Sequence, residues 1–142
     1  MFERWWPAVA AKASWTDMTL TPAAAAAAFN THINAADLRG LASLMSEDHR
    51  FVDSQGNMVS GKPACIAAWS GFFRAFPGYR NTLVQFFHFD NMVTVTGFSD
   101  CPNHPELTGP AIWSATVMAD RLTEWRVYVD TVHNRINLGI YE

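Results

Sequence analysis

From Tyr79 onward the apolar residues of this chain recur at every second position, and that period constrains the fold more than any other feature. Four runs, 79–90, 92–100, 111–119 and 122–132, are rich in Val, Thr, Phe, Trp and Tyr. They are separated by Asp90-Asn91, by a long loop over 101–110 and by Asp120-Arg121. Polar breaks between alternating runs predict strands that fold back on one another, an antiparallel meander.

Upstream the period is helical. Thr21 can accept a bond from an early N–H and Pro22 suits the first helical position, where no donor is needed, so a helix opens there. Six alanines, 23–28, propagate it, and Phe29 and Ile33 anchor it. Asn34-Ala35-Ala36-Asp37 breaks it, and Asp37 can cap a second helix over 38–45 with Leu38, Leu41, Leu44 and Met45 at helical spacing. A third helix is predicted over 63–76, ended by Pro77-Gly78, with Ile66, Trp69, Phe73 and Phe76 on one stripe and Phe72 beside it. That stripe serves as core, as the wall of an apolar cavity, or as both. Before this helix, residues 48–61 read as a short strand, a turn at Gln55-Gly56-Asn57 and a second short strand. Helices first and strands after predict an α+β domain, with three N-terminal helices packed in the concave face of a curved, mainly antiparallel sheet.

At 142 residues the chain is expected to form one domain, residues 19–142, preceded by an extension over 1–18. The extension lacks the sustained apolar centre of a signal peptide, and its Trp5, Trp6 and Trp15 are expected to dock on the domain or on a second subunit. The composition is 49% apolar and 13% aromatic, more aromatic surface than a minimal core needs, which leaves some for a pocket and for a homodimer contact. Ten Lys and Arg are scattered through a chain of net charge −3, so no basic stripe awaits nucleic acid. Apolar runs are interrupted well before the roughly 18 residues of a membrane span. Cys65 and Cys101 form no disulfide framework, which fits a reduced, cytoplasmic chain.

The residue with most chemical promise is Asp53, at the end of the first short strand, where stiff backbone holds a carboxylate in place. It either faces a cavity or caps the turn that follows by accepting a backbone N–H, a role to which Asp is well suited. Of the histidines, His88 and His32 are candidates for a second acid–base group, since imidazole titrates near neutrality, with hydrogen-bonding roles as the alternative. None is spaced as a metal pair, and Cys101-Pro102-Asn103-His104 supplies two ligands where structural zinc uses four, so neither a metal nor another cofactor is expected. No serine lies in a G-x-S-x-G setting, and glycine-rich phosphate loops are missing.

The order helix, short helix, strand, turn, helix and four long strands resembles the cystatin-like α+β cone of nuclear transport factor 2, ketosteroid isomerases, limonene epoxide hydrolases, scytalone dehydratase and the SnoaL-like polyketide cyclases. Ala36-Asp37-Leu38, Phe51-Val52-Asp53, Gly61-Lys62, Trp69 with Phe72-Phe73, Phe76-Pro77 and the run from Glu124 to Thr131 carry the likeness, which is nearest to the SnoaL-like proteins. Fold alone does not give function. The resemblance implies that Asp53 matches the general base of the isomerases. It sets Phe29 where they have an oxyanion-hole tyrosine and Thr116 near their second aspartate, so their two-donor stabilisation of an enolate is lost. Against the limonene epoxide hydrolases, Asp100 matches one carboxylate, but Phe98 and Val127 replace the arginine and the other carboxylate. The resemblance also turns Trp125, Val127 and Val129 inward, a register slip of one putting Arg126, Tyr128 and Asp130 there instead, and makes Phe29, Ile33, Trp69, Phe73, Val95, Trp113 and Thr116 the remaining walls of an apolar pocket. Asp130 then falls on the outer face, expected to pair with Arg126 or a neighbouring strand.

Two readings stay open. In one, a cofactor-independent enzyme isomerises, cyclises or dehydrates a small hydrophobic molecule, with Asp53 moving a proton and Asp100 or His88 returning it. In the other, the cone only binds a small apolar molecule or dimerises.

Overall fold

The computed structural model describes residues 20–140, and the predicted extension over 1–18 lies outside them. Helix α1 runs Pro22–Asn34, and Thr21 Oγ1 accepts the Ala24 N–H at 3.1 Å as expected. Helix α2, Leu38–Leu44, starts at Asp37, whose Oδ1 accepts the Gly40 N–H at 2.9 Å. Met45 does not close this helix as the spacing predicted. It begins strand β1, Met45–Val52, where it is the cross-strand partner of Leu122.

The chain continues through β2, Met58–Ser60; α3, Lys62–Ala75; β3, Arg80–Phe89; β4, Met92–Asp100; β5, Gly109–Met118; β6, Arg121–Val129; and α4, Val132–Asn137. The six strands form one sheet in the order β2-β1-β6-β5-β4-β3. Every neighbouring pair is antiparallel except β1 with β6, which is parallel. Across that parallel seam Arg50 Nε donates to Glu124 Oε1 at 2.6 Å, and the two residues are Cα partners, so the ion pair fits only this register. Helix α1 lies over β3 to β6, and α3 over β1 and β2. The architecture is the α+β arrangement that the patterning predicts. No helix among the described residues is long and apolar enough to cross a membrane.

Alternation decides which side chains meet the helices. Ala111, Trp113, Ala115, Trp125 and Val127 face them, with Val93 and Val95 from β4. At the centre Phe29 from α1 packs tilted on Trp125 at 4.9 Å between ring centroids and edge-on to Trp69 at 6.2 Å. Gly97 on β4 takes no side chain, because a Cβ there would run into the Thr82 carbonyl on β3.

The last strand is shorter than predicted. It stops at Val129, and Thr131 starts α4 by accepting the Asn134 N–H at 3.0 Å. Asp130 does not pair with Arg126. Its two oxygens take a fork from Arg135, at 2.6 and 2.9 Å, while the Arg126 guanidinium lies 5.2 Å above the Tyr128 ring.

Candidate functional site

A cavity of about 250 Å³ opens between α3 and the sheet, near the C-terminal end of β1. Its floor is aromatic: Phe51 and Trp125, Cα partners across the parallel seam, lie beside Trp113 and Val127. Helix α3 supplies Ala68, Trp69 and Phe72, and the helical period makes them neighbours on one face. Trp69 stands edge-on to Phe51 at 5.6 Å and to Phe72 at 5.7 Å, so the wall is built of interlocked rings. The polar members are Asp53 and Ser54 from the turn after β1, and Tyr79 and Asn81 where β3 begins, with Leu107 from the loop before β5.

Asp53 is on the cavity wall, yet its oxygens are engaged by its own turn. Oδ1 accepts the N–H groups of Gln55 and Asn57, each at 2.9 Å, and Oδ2 accepts the Asn57 amide at 3.2 Å. Desolvation works to raise this carboxyl, but the donors from Asn57, Gln55 and Gly56 outweigh it and hold the group below the usual carboxylate range. A base of this kind binds a proton weakly. The backbone closes the same turn, with Asp53 N–H donating to Asn57 O at 2.9 Å.

The other residues singled out from the sequence divide by position. Trp69, Trp113, Trp125 and Val127 line the cavity. Phe29, Ile33 and Val95 are buried core beneath the lining, and Phe73 packs on Trp69 at 5.5 Å without reaching the space. Val129 shares the inward parity of Trp125 but lies past the cavity, 53% exposed. Thr116 is a Cα partner of Glu124 and lies on the opposite face of the sheet. Asp100, exposed at the end of β4, and His88, exposed near the far end of β3, are both outside the lining. Of the three acid–base candidates, Asp53 alone borders the cavity. His32 Nδ1 donates to Asp37 Oδ2 at 3.1 Å and serves the helix junction. Among the described residues no group of three or more His, Cys, Asp or Glu comes together.

Sequence reasoning missed Tyr79 and Asn81, which head a buried polar network. Asn34, on the last turn of α1, grips the Asn81 peptide with both ends of its amide: Nδ2 donates to Asn81 O at 2.9 Å and Oδ1 accepts Asn81 N–H at 2.8 Å. Asn30, one turn earlier, adds a third bond to Asn81 O at 3.2 Å. Ser99 Oγ donates to Asn81 Oδ1 at 2.8 Å, and the Tyr79 hydroxyl lies 3.3 Å from Ser99 Oγ. Burial pushes the Tyr79 hydroxyl up from its ordinary value, with Ser99 and Asn81 opposing, so it stays protonated near neutrality. The available signal was the pair Asn30 and Asn34 at helical spacing near the end of an alanine-rich helix, where two amides on one face imply a polar partner.

Solved structures with this fold are numerous. An uncharacterised cystatin-fold protein from Novosphingobium aromaticivorans superposes with a TM-score of 0.65 at 15% identity, over 75% of this chain and 97% of that one. A candidate polyketide cyclase from Sinorhizobium meliloti gives 0.65 at 14% identity, over 72% and 92%. TerC, co-crystallised with polyporic acid, gives 0.63 at 19% identity, over 79% and 93%. A comparison with curated proteins returns no match. Residues 26–125, which span α1 through the inward-facing Trp125 of β6, match the model of the SnoaL-like domain, and the chain belongs to that family.

Proposed function

We propose that this protein binds a small, planar, largely apolar molecule in the cavity between α3 and the sheet, and that Asp53 shapes the mouth of that cavity as a turn cap. The observation that carries this reading is the state of Asp53: a carboxylate with three hydrogen bonds from its own turn and a lowered proton affinity is poorly matched to general-base work near neutrality. What surrounds it is ring surface, and an apolar cavity with few polar groups is the usual form of a small-molecule site. The cocrystal of TerC with polyporic acid lends support, since it concerns a protein of the same fold.

Acid–base catalysis of the isomerase or cyclase type keeps one specific support, the position of Asp53 on the cavity wall, together with the candidate cyclase among the structural neighbours. One experiment separates the two readings. Planar aromatic probes are titrated into the wild type and into Asp53→Asn, following the fluorescence of Trp69, Trp113 and Trp125 and the Asp53 carboxyl by NMR. The binding reading expects quenching with similar affinity in both proteins and a carboxyl that stays low. A ligand that drives the Asp53 carboxyl up toward neutrality, and is turned over by the wild type but not by Asp53→Asn, would establish the enzyme.

A further inference from the structure

We infer that the cavity selects a ligand bearing a carbonyl oxygen, and that the side-chain amide of Asn81 is the donor that reads it; this rests on the ligand-binding reading above. Asn81 lines the cavity and is 3% exposed. A hydroxyl hydrogen of Ser99 goes to Asn81 Oδ1 at 2.8 Å, and the Tyr79 hydroxyl, 3.3 Å from the same Ser99 oxygen, then has to be the donor there. The bonds run one way, from Tyr79 through Ser99 to Asn81, and the chain ends in Nδ2, a group with two hydrogens and no capacity to accept. The Tyr79 oxygen, which the Asn81 amide also approaches, takes at most one of them.

The position of this donor is fixed before any ligand arrives, because Asn34 and Asn30 hold the Asn81 peptide through three bonds. Such a pre-set group spends little conformational freedom on binding. The rest of the wall has the same bias. The carboxylate oxygens of Asp53 are already engaged in its turn. A donor held in place beside a carboxylate whose oxygens are occupied complements a molecule that accepts. A saturated hydrocarbon of the same shape would leave the amide dry and unpaired, and a site with an unpaired buried donor discriminates against that ligand.

The test uses two probes of nearly equal shape, 1-indanone and indane, on the full chain. Hydration alone favours indane, since moving a carbonyl out of water without a partner costs roughly a tenfold or larger factor in affinity. The inference expects 1-indanone to bind at least as tightly as indane, and the Asn81 side-chain amide signals to move in the NMR spectrum on adding 1-indanone but not indane. In Asn81→Asp, which keeps the shape and turns the donor into an acceptor, the preference for 1-indanone is expected to fall by about tenfold or more while indane binding holds. Should that variant fail to fold, the amide shift in the wild type decides the matter alone. Indane binding tenfold more tightly, with no amide shift, overturns the role of Asn81 and leaves the apolar site standing. Absence of binding by both probes at millimolar concentration overturns the site itself and this inference with it.

Discussion

Acidification through the range just below neutrality is expected to destabilise this protein through one residue, His49. The side chain is 0% exposed, on β1 against Phe29, with ring centroids 5.8 Å apart. Its Nδ1 lies 2.7 Å from the Leu122 carbonyl, which can only accept, so Nδ1 holds the hydrogen and Nε2 is a bare lone pair. Nε2 is buried with no partner. Burial pushes the proton affinity of the ring down, and the Leu122 carbonyl with the charges of Glu124 and Asp48 opposes it without prevailing. The unfolded chain takes up a proton at this imidazole near pH 6.5, while the folded chain refuses it until a lower pH. Below about pH 6.5 the unfolded state therefore binds one more proton, and stability falls as pH falls, by at most about 1.4 kcal/mol per unit. Integrated from pH 6.5 to 5.5, one such group removes at most about 1 kcal/mol, and above about pH 7.5 the curve is nearly flat. Urea denaturation at pH 7.5, 6.5 and 5.5 measures this. His49→Asn keeps a nitrogen near the Leu122 carbonyl but cannot titrate, and its profile over this range is expected to lose that decline. The carboxyls of Asp37, Asp53 and Asp130 are held low, so they withdraw stability in a separate window, as pH falls below about 4. A wild-type curve that is level from pH 7.5 to 5.5, or a decline of equal size in His49→Asn, would refute the assignment.

Two further substitutions test the packing. Trp125→Ala removes a 0% exposed ring that Phe29 covers and that floors the cavity, and a loss of about 3–5 kcal/mol by chemical denaturation is expected, together with loss of aromatic-probe binding. Gly97→Ala drives a methyl into the Thr82 carbonyl at the bulge between β3 and β4, and is expected to cost about 3 kcal/mol; a melting temperature within a degree of wild type would show that β3 gives way freely.

Much of the backbone was legible because local chemistry decides it. Thr21-Pro22 starts α1 and Asp37 starts α2 where their capping chemistry predicts, and Pro77-Gly78 closes α3 within a residue or two of expectation. The misses are long-range. Met45 fits a helix by spacing and is taken by its pairing with Leu122. Val132 extends an alternating pattern, yet Thr131 caps a helix in its place, a signal hidden by the β-branched content of the segment. At the site, the two roles open to Asp53 differ only in where its oxygens point, and the donors at Gln55 and Asn57 that decide this sit in the very turn that the sequence displays. Asp100 and His88 have suitable chemistry but the wrong place on their strands, which composition does not reveal. Asn81 looks like an ordinary polar residue opening a strand, and its meaning depends on two helix amides about fifty positions earlier.

The parallel seam between β1 and β6 has a consequence for how the molecule is born. It joins Arg50 to Glu124, 74 positions apart, and places Phe51 beside Trp125, so the cavity floor has no existence until β6 has been synthesised. At about 5–20 residues per second a ribosome needs roughly 4–15 s to cover that distance. During those seconds β1 and β2 can pair only with each other, with one long strand edge bare, and an edge of that kind invites pairing with other chains. Closing so long a loop is also the slow type of contact in folding. The nascent chain thus spends its most vulnerable interval as an unfinished sheet, and β6, the strand that supplies Trp125 and Val127 to the cavity, is the piece that ends it.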